Sequence, residues 1–367
     1  MRPRSETESL RLRLPEGWSA PDSCEDVIVA DGLAIRRAGV SSVAPDGEEV
    51  TGSAALLEHD GASADDISPA SKSCFELLER VSLIEAMRAS TREYALLTAD
   101  GRATRTCAGR ELFPESDAPE RWRPARSNGV AIHADWSRAC ERALWELAER
   151  DRVLASWYGH VRPERLDGDV HGVSGVTSSY DWSAWAFPEE RDGSFSRGLE
   201  VVGVFGFPTR AGAPLAMGFA ARPHRRDALD DATREAIQLL GFLWGEPVAE
   251  MTECVEPTAM GHLDFYQAPE RHPLLRSWLA GEHIRYACAA GSGTNRVRAS
   301  TAEGERAPAS GARVDREEVV FADLTPVWLG SGERVAKAVC TSAHRLVFGE
   351  SALGAHLPPE RRIHPIS

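Results

Sequence analysis

Three stretches of the chain carry apolar residues at helical spacing. In the first, Leu77, Val81 and Ile84 form an i, i+4, i+7 stripe. Ser68 suits the N-cap of that helix, and Pro69 suits its first turn, where a missing N–H costs nothing. The second stretch starts after Asp135 and runs towards Trp157, with Cys140, Leu144, Leu147 and Leu154 on its buried side. The third follows Asp227 and spaces Leu229, Ala232, Ala236, Leu239 and Leu243 in the same way. Between them lie strand-like runs: Tyr94–Thr98 before an Asp100-Gly101 turn, then Val201–Phe207, Leu215–Ala221, Val319–Leu324 and Val335–Cys340. Near the start, Val27–Ile35 reads as a hairpin about Asp31-Gly32, a pair that supplies the positive φ angles of a tight turn. Helices and strands are interspersed, so the expected class is α/β or α+β, with helices packed on mixed sheets.

Polar, turn-rich stretches at Pro45–Gly52 and Ser63–Ser68 separate the hairpin from the first helix. Residues 1–60 therefore read as a short lead-in and 61–367 as the body that carries the chemistry. Ala289–Arg313, rich in Gly, Ser, Ala and Thr, is the candidate mobile loop. At 367 residues the chain can hold one large domain or two modest ones. It carries 56 Asp and Glu against 42 Lys and Arg, a formal net charge of −14, which argues against a nucleic-acid partner. A polyphosphate ligand would need local arginines against that field. The seven cysteines are scattered, as expected of reduced thiols rather than of a disulfide framework or a zinc site. No run has the length of a membrane span, and Met1–Leu14 alternates Arg and Glu with Leu instead of forming a signal-peptide core. The expected location is cytoplasmic, with no membrane partner.

Residues three apart share a helix face. Glu76 and Glu79 therefore point one way on the first helix, as do Glu146 and Glu149 on the second, and Arg80 and Arg150 follow them. Side by side, the two helices would gather four carboxylates, and the repulsion would raise their pKa values. Divalent cations relieve such repulsion, and hard oxygen donors suit Mg²⁺, which commonly shares substrate phosphates. Arg80 and Arg150 could then neutralise phosphate or orient a carboxylate. Either motif alone also fits a solvated helix face. A di-iron bundle would want Glu-x-x-His, which is missing. Ser127-Asn128-Gly129-Val130-Ala131 forms a turn that can offer an amide oxygen and backbone N–H groups to metal or phosphate, although an ordinary glycine turn would look the same. The third helix repeats the i, i+3 arrangement with Glu235 and Gln238 beside Arg234. The basic cluster Arg222, His224, Arg225 and Arg226 precedes it and suits either a triphosphate or solvent. The chain has no P-loop and no kinase motif set.

Phe75–Ser82, Ser127–Ala131 and Arg142–Asp151, in that order and spacing, resemble the motifs of YcaO-domain proteins. Trp157-Tyr158, Asp323-Leu324-Thr325, Arg345–Gly349 and His364-Pro365 fit the same pattern, so the resemblance spans roughly residues 60–367. It implies an ATP- and Mg²⁺-dependent enzyme that activates backbone amides in a ribosomally made precursor peptide. A nucleophile adds to the amide carbonyl, ATP phosphorylates the oxyanion, and phosphate leaves. A Cys, Ser or Thr side chain gives an azoline, a sulfide a thioamide, and an amine an amidine. The resemblance also implies Glu76, Glu79, Glu146 and Glu149 as Mg²⁺ ligands. The ATP-binding set would be Ser127, Asn128, Arg80, Arg150, Glu235 and Gln238.

Three departures qualify the match. Gly61-Ala62-Ser63 stands where members often carry Gly-Lys-Gly, and Lys72 where a small residue is usual. The chain ends Arg362-Ile363-His364-Pro365-Ile366-Ser367 rather than in the Pro-x-Pro-x-Pro of many azoline-forming members. That tail shifts the expectation towards amidine, thioamide or partner-dependent chemistry. The short lead-in points to a separate leader-binding protein, a sulfur-delivery protein is the other partner expected, and a homodimer is left open. The alternative is a catalytically silent YcaO-like scaffold that binds peptide in a maturation complex, though retention of all four glutamates argues against it.

Overall fold

The structure, a computed structural model, describes residues 12–58, 68–89, 91–190, 194–247, 255–282, 319–330, 332–350 and 357–366. The expected division at residue 60, the Gly61-Ala62-Ser63 segment, most of Ser63–Ser68 and the whole of Ala289–Arg313 lie outside the described residues.

The chain opens with the antiparallel strands β1 (Asp22–Ala30), β2 (Leu33–Val43) and β3 (Glu49–Leu57). The first two form the expected hairpin, and Asp31 takes φ 46° at its turn. Helix α1 (Pro69–Arg88) follows, with the Ser68 side chain accepting the Ser71 N–H at its start. Next come β4 (Glu93–Leu97), β5 (Ala103–Ala108), the short α2 (Gly109–Leu112), β6 (Trp122–Pro124) and β7 (Val130–His133). Helix α3 (Trp136–Trp157) is capped by the Asp135 carboxylate on the Arg138 N–H. After it run β8 (Glu164–Arg165), β9 (Tyr180–Ala186), β10 (Glu200–Pro208), β11 (Ala216–Arg222) and α4 (Arg225–Leu243). The chain continues through α5 (Ala259–Gln267), α6 (His272–Leu279), β12 (Val320–Asp323), β13 (Arg334–Val339) and β14 (Val347–Gly349).

The strands assemble into three main sheets: β1-β2-β3, β11-β10-β9-β8 and β5-β4-β12-β13-β7, with β14-β6 as a small pair. Successive side chains on a strand face opposite sides, and the core clusters follow that alternation. In the five-stranded sheet, Val130, Ile132, Val320, Ala322 and Val335 meet Leu78, Leu83 and Ala86 of α1. Their neighbours Ala131, Phe321, Ala336 and Ala338 meet Ala139, Cys140, Ala143 and Leu147 of α3. In the four-stranded sheet, Val202, Val204, Ala216 and Ala220 meet Ala228, Ala232 and Ala236 of α4. The opposite face, with Phe205, Phe207 and Leu215, meets Leu154 and Trp157 of α3 and the aromatic residues of α5 and α6.

The three-stranded sheet completes the arrangement. Val40 and Val50 pack on Leu77 and Val81 of α1, while Ile35 and Ala55 pack on Ile237 and Leu240 of α4. Each of the three long helices therefore fills the gap between two sheets. Sheets and helices alternate around a ring, each helix buried on two sides. The apolar stripes expected on these helices are the surfaces that do this.

Helix α4 starts at Arg225, three residues before the start expected after Asp227, because His224 already takes the extended conformation of an N-cap. The pattern did not reveal α5 or α6. Both are short, and α5 has the contiguous buried pairs His262-Leu263 and Phe265-Tyr266, which leave no clean stripe.

Candidate active site

Three of the main sheets' edge strands are β3, β7 and β11. An edge strand presents backbone N–H groups that need partners, and here glutamates from the helices supply them. The Ser53 N–H on β3 donates to Glu76 Oε2 at 2.6 Å. The Ile132 N–H on β7 donates to Glu79 Oε2 at 3.0 Å, and the Gly129 and Val130 N–H groups face Glu146. The Phe219 N–H on β11 donates to Glu235 Oε2 at 2.7 Å. The carboxylate cluster thus forms where three sheet edges converge.

Two glycines make this approach possible. A Cβ on Gly52 would lie 2.1 Å from the Ser73 carbonyl oxygen of α1, and one on Gly218 would lie 2.4 Å from the Ala232 oxygen of α4. Each glycine immediately precedes the residue whose N–H holds a glutamate. Strand and helix touch backbone to backbone there, and the carboxylate reaches the next N–H.

The cluster is electrostatically strained. Burial, then the nearby Glu146 charge, pushes Glu79 up to about 8, despite the Ile132 hydrogen bond. Burial raises Glu146 against the opposing pull of Arg150 and Lys337. Glu149 is raised well above the ordinary glutamate value, by burial first and then by Glu235. Glu235 is raised to about 7 by burial, opposed by the Phe219 N–H and Arg150. Burial also works against the Arg150 charge, yet Glu146, Glu149, Glu235 and Glu79 together hold its pKa above the usual arginine value.

Arg150 pairs with Glu146 at 2.8 Å, but its Nε is buried with no hydrogen-bond partner. Asn128 Oδ1 is likewise buried and unpartnered. A surplus of buried acid beside two unsatisfied polar atoms fits a ligand that brings cations and acceptors together. Among the described residues no three of these carboxylates converge on one point. Mg²⁺ usually takes one or two carboxylates and shares phosphate oxygens, so it does not require such convergence.

An open cavity of about 260 Å³ lies between β3 and β11. Glu149, Glu235, Gln238, Arg222, Arg234 and Lys72 line it. Arg222 pairs with Asp231 and lies 4.5 Å over the Trp145 ring. Of the expected basic cluster it alone lines the cavity; Arg225 pairs with Glu200, and Arg226 is exposed beside Asp230. Gln238 donates to the Ser53 carbonyl at 3.3 Å and so ties α4 to β3. Arg80 is half exposed, pairs with Glu76 and donates to the Thr51 carbonyl at 2.8 Å. Ser127 is exposed at the turn.

Sequence reasoning missed Lys337. It is buried on β13, and its Nζ donates to the carbonyls of Arg126 at 2.8 Å and Asn128 at 2.7 Å, holding the turn that carries Asn128. Burial lowers it to about 8, and Glu146 opposes the shift. Its signal was a lone lysine inside the apolar run Val335–Val339. The C-terminal segment packs behind α3: Trp157 Nε1 donates to the Arg361 carbonyl at 3.0 Å, and buried His364 contacts the Val347 carbonyl at 2.9 Å.

A fold of alternating sheets and helices around a buried acidic cluster with hard oxygen donors suits a protein that binds hard divalent cations. A profile of the family described as YcaO cyclodehydratase, ATP- and Mg²⁺-binding, matches residues 105–341, and the chain belongs to that family. ATP and Mg²⁺ are its cofactors. The fold is similar to that of YcaO from Methanopyrus kandleri bound with AMPPCP and Mg²⁺, with a TM-score of 0.56 and 17% identity, covering 88% of this chain and 85% of that one. It is also similar to a chain of the E. coli microcin synthetase McbBCD complex with pro-MccB17 bound, with a TM-score of 0.51 and 11% identity, covering 88% of each. No curated protein sequence matches the chain. Glu76 and Glu79 precede the matched residues, so the case for them is the geometry of α1 alone.

Proposed function

We propose that the chain activates a backbone amide of a ribosomally synthesised precursor peptide by ATP-dependent phosphorylation, giving an azoline, amidine or thioamide. The carrying observation is the buried acidic cluster beside the unpartnered Arg150 Nε and Asn128 Oδ1. Glu76, Glu79, Glu146 and Glu149 would hold Mg²⁺, with Glu235 at the edge of the same volume. Asn128, Arg150, Ser127, Arg80 and Gln238 would serve the nucleotide side. Bound there, ATP with Mg²⁺ supplies the phosphoryl group that converts the amide oxygen into a leaving group. The protein's part is placement and charge neutralisation, which phosphoryl transfer chiefly requires. Arg150 is held charged by its acidic neighbours and offers a guanidinium aimed by the Glu146 pair. Lys337 fixes the Asn128 turn, and the edge-strand N–H groups fix the glutamates.

The microcin synthetase complex supports a peptide substrate with partner proteins. A precursor peptide and a leader-binding or sulfur-delivery protein are accordingly the proposed partners. Calorimetry with ATP and Mg²⁺ tests the site: Glu146→Gln is expected to lose binding with the fold intact, and unchanged affinity would refute the assignment. Mass spectrometry on a cognate peptide reads the product. Loss of one water indicates azoline or amidine, exchange of oxygen for sulfur indicates thioamide, and no change in any cognate peptide favours the scaffold.

A further inference from the structure

A second cluster of donor side chains shares no residue with the glutamate cluster proposed to hold Mg²⁺. His160 follows the C-terminal end of α3, Glu190 lies between β9 and β10, and His344 lies between β13 and β14. One ligand atom from each lies within 4.8 Å of the other two. His160 Nδ1 is 3.3 Å from Glu190 Oε1, and His344 Nε2 is 3.8 Å from Glu190 Oε2. Four ligands at the usual zinc distances of about 2.0–2.2 Å stand roughly 3.3–3.6 Å apart in a tetrahedron. The His160 separation of 3.3 Å matches such an edge, while His344, at 3.8 Å from the other Glu190 oxygen, would need to move a few tenths of an ångström inward.

The surroundings are built as metal sites are built. His344 Nδ1 is 2.8 Å from Asp151 Oδ1, which also accepts the His344 backbone N–H at 2.7 Å. A carboxylate on one imidazole nitrogen fixes the tautomer and leaves the other nitrogen as a ligand, the usual outer support of a metal-bound histidine. That other nitrogen, Nε2, is the one that faces Glu190. The His160 N–H donates to the Ala155 carbonyl at 2.9 Å, so this ligand is anchored on the last turn of α3. The adjacent acid Glu189 is engaged elsewhere, paired with buried Arg152 at 2.7 Å.

We propose that His160, Glu190 and His344 form a binding site for a borderline divalent transition-metal cation of the Zn²⁺ type, with Asp151 as the positioning residue for His344. Imidazole nitrogens favour such cations over Mg²⁺, so the site is chemically distinct from the glutamate cluster. Three protein ligands leave a fourth position for water or an incoming thiolate or carboxylate. The inference does not depend on the proposed amide chemistry.

The test uses the full chain, stripped with chelator and titrated with Co²⁺ in excess Mg²⁺, so that the glutamates are occupied. Visible absorption reads the Co²⁺ geometry, and calorimetry with Zn²⁺ reads affinity. One equivalent with tetrahedral-type bands is expected. His160→Ala and Glu190→Gln should each abolish it, and Asp151→Asn should weaken it roughly 10- to 100-fold. His160 is partly exposed, so its variant carries the test even where His344→Ala fails to fold. ATP–Mg²⁺ affinity should be unchanged in His160→Ala. Failure of the wild-type chain to bind, binding that survives His160→Ala and Glu190→Gln, or loss of binding in Glu79→Gln instead would overturn the proposal.

Discussion

Replacing Glu79 by Gln should stabilise the metal-free protein at neutral and alkaline pH while removing its response to Mg²⁺. Burial and the Glu146 charge raise Glu79 from 4.5 to about 8 in the folded chain. Above about pH 4.5 the unfolded chain has released this proton while the folded chain still holds it. Stability therefore falls as pH rises from about 4.5 to about 8 and levels off beyond. At 1.36 kcal/mol per unit, the difference of 3.5 units sets a ceiling of about 5 kcal/mol. Against a total stability of about 5–15 kcal/mol, even half of that is a large loss. A glutamine keeps the oxygen that accepts the Ile132 N–H and removes the charge. Glu235, raised to about 7, adds a parallel slope in both proteins and cancels in the comparison. Lys337, lowered from 10.5 to about 8, changes the balance only above that window. Urea melts with EDTA at pH 5 and pH 8 give the measurement. Glu79→Gln should match wild type within about 1 kcal/mol at pH 5 and exceed it by about 2–5 kcal/mol at pH 8. Saturating Mg²⁺ and ATP should reverse the order at pH 8. Parallel pH profiles for the two proteins would refute the reasoning.

Three further perturbations follow from particular contacts. Lys337→Met removes the hydrogen bonds to the Arg126 and Asn128 carbonyls, and at about 1.5–3 kcal/mol for charged hydrogen bonds it should weaken ATP at least tenfold in calorimetry. Gly218→Ala drives a Cβ to 2.4 Å from α4 backbone atoms and should cost about 1–3 kcal/mol in urea melts, with ATP affinity falling as Glu235 moves. Asp31→Ala removes an acceptor that binds the N–H and hydroxyl groups of Ser178 and Ser179, and should cost about 1–3 kcal/mol with ATP affinity unchanged.

Much of the framework was legible because single-element signals were strong. Ser68-Pro69 and Asp135 marked the starts of α1 and α3, and Asp31-Gly32 marked the hairpin turn. The i, i+3 rule placed Glu76 with Glu79 and Glu146 with Glu149 on shared faces. Local pattern has no means of showing which sheet edge each face meets. Gly52 and Gly218 read only as strand glycines, and Lys337 only as an odd residue in an apolar run. Each acts through a neighbour more than 16 residues away or on another element. Arg80 and Arg150 looked equivalent in sequence, yet Arg80 is half exposed and bound to β3, while Arg150 lies inside the acid cluster.

That difference follows from the ring of sheets and helices. Helix α1 meets β3 at Glu76 and Arg80, on the outer rim, and meets β7 one turn away at Glu79. Helix α3 lies between the five-stranded and four-stranded sheets, so the same motif on it points inward, and Arg150 feels four glutamates, Glu146, Glu149, Glu235 and Glu79. The motif pairs are alike in sequence and unlike in surroundings. Edge strands need partners for their N–H groups, and buried glutamates meet that need at the cost of crowding negative charge. In the proposed site, entering cations would relieve the crowding, so the contacts that close the three sheet edges would also prepare it for Mg²⁺ and ATP. A chain with neutral residues at Glu79, Glu149 and Glu235 would close the same edges with less strain, and it would have no reason to gather divalent cations.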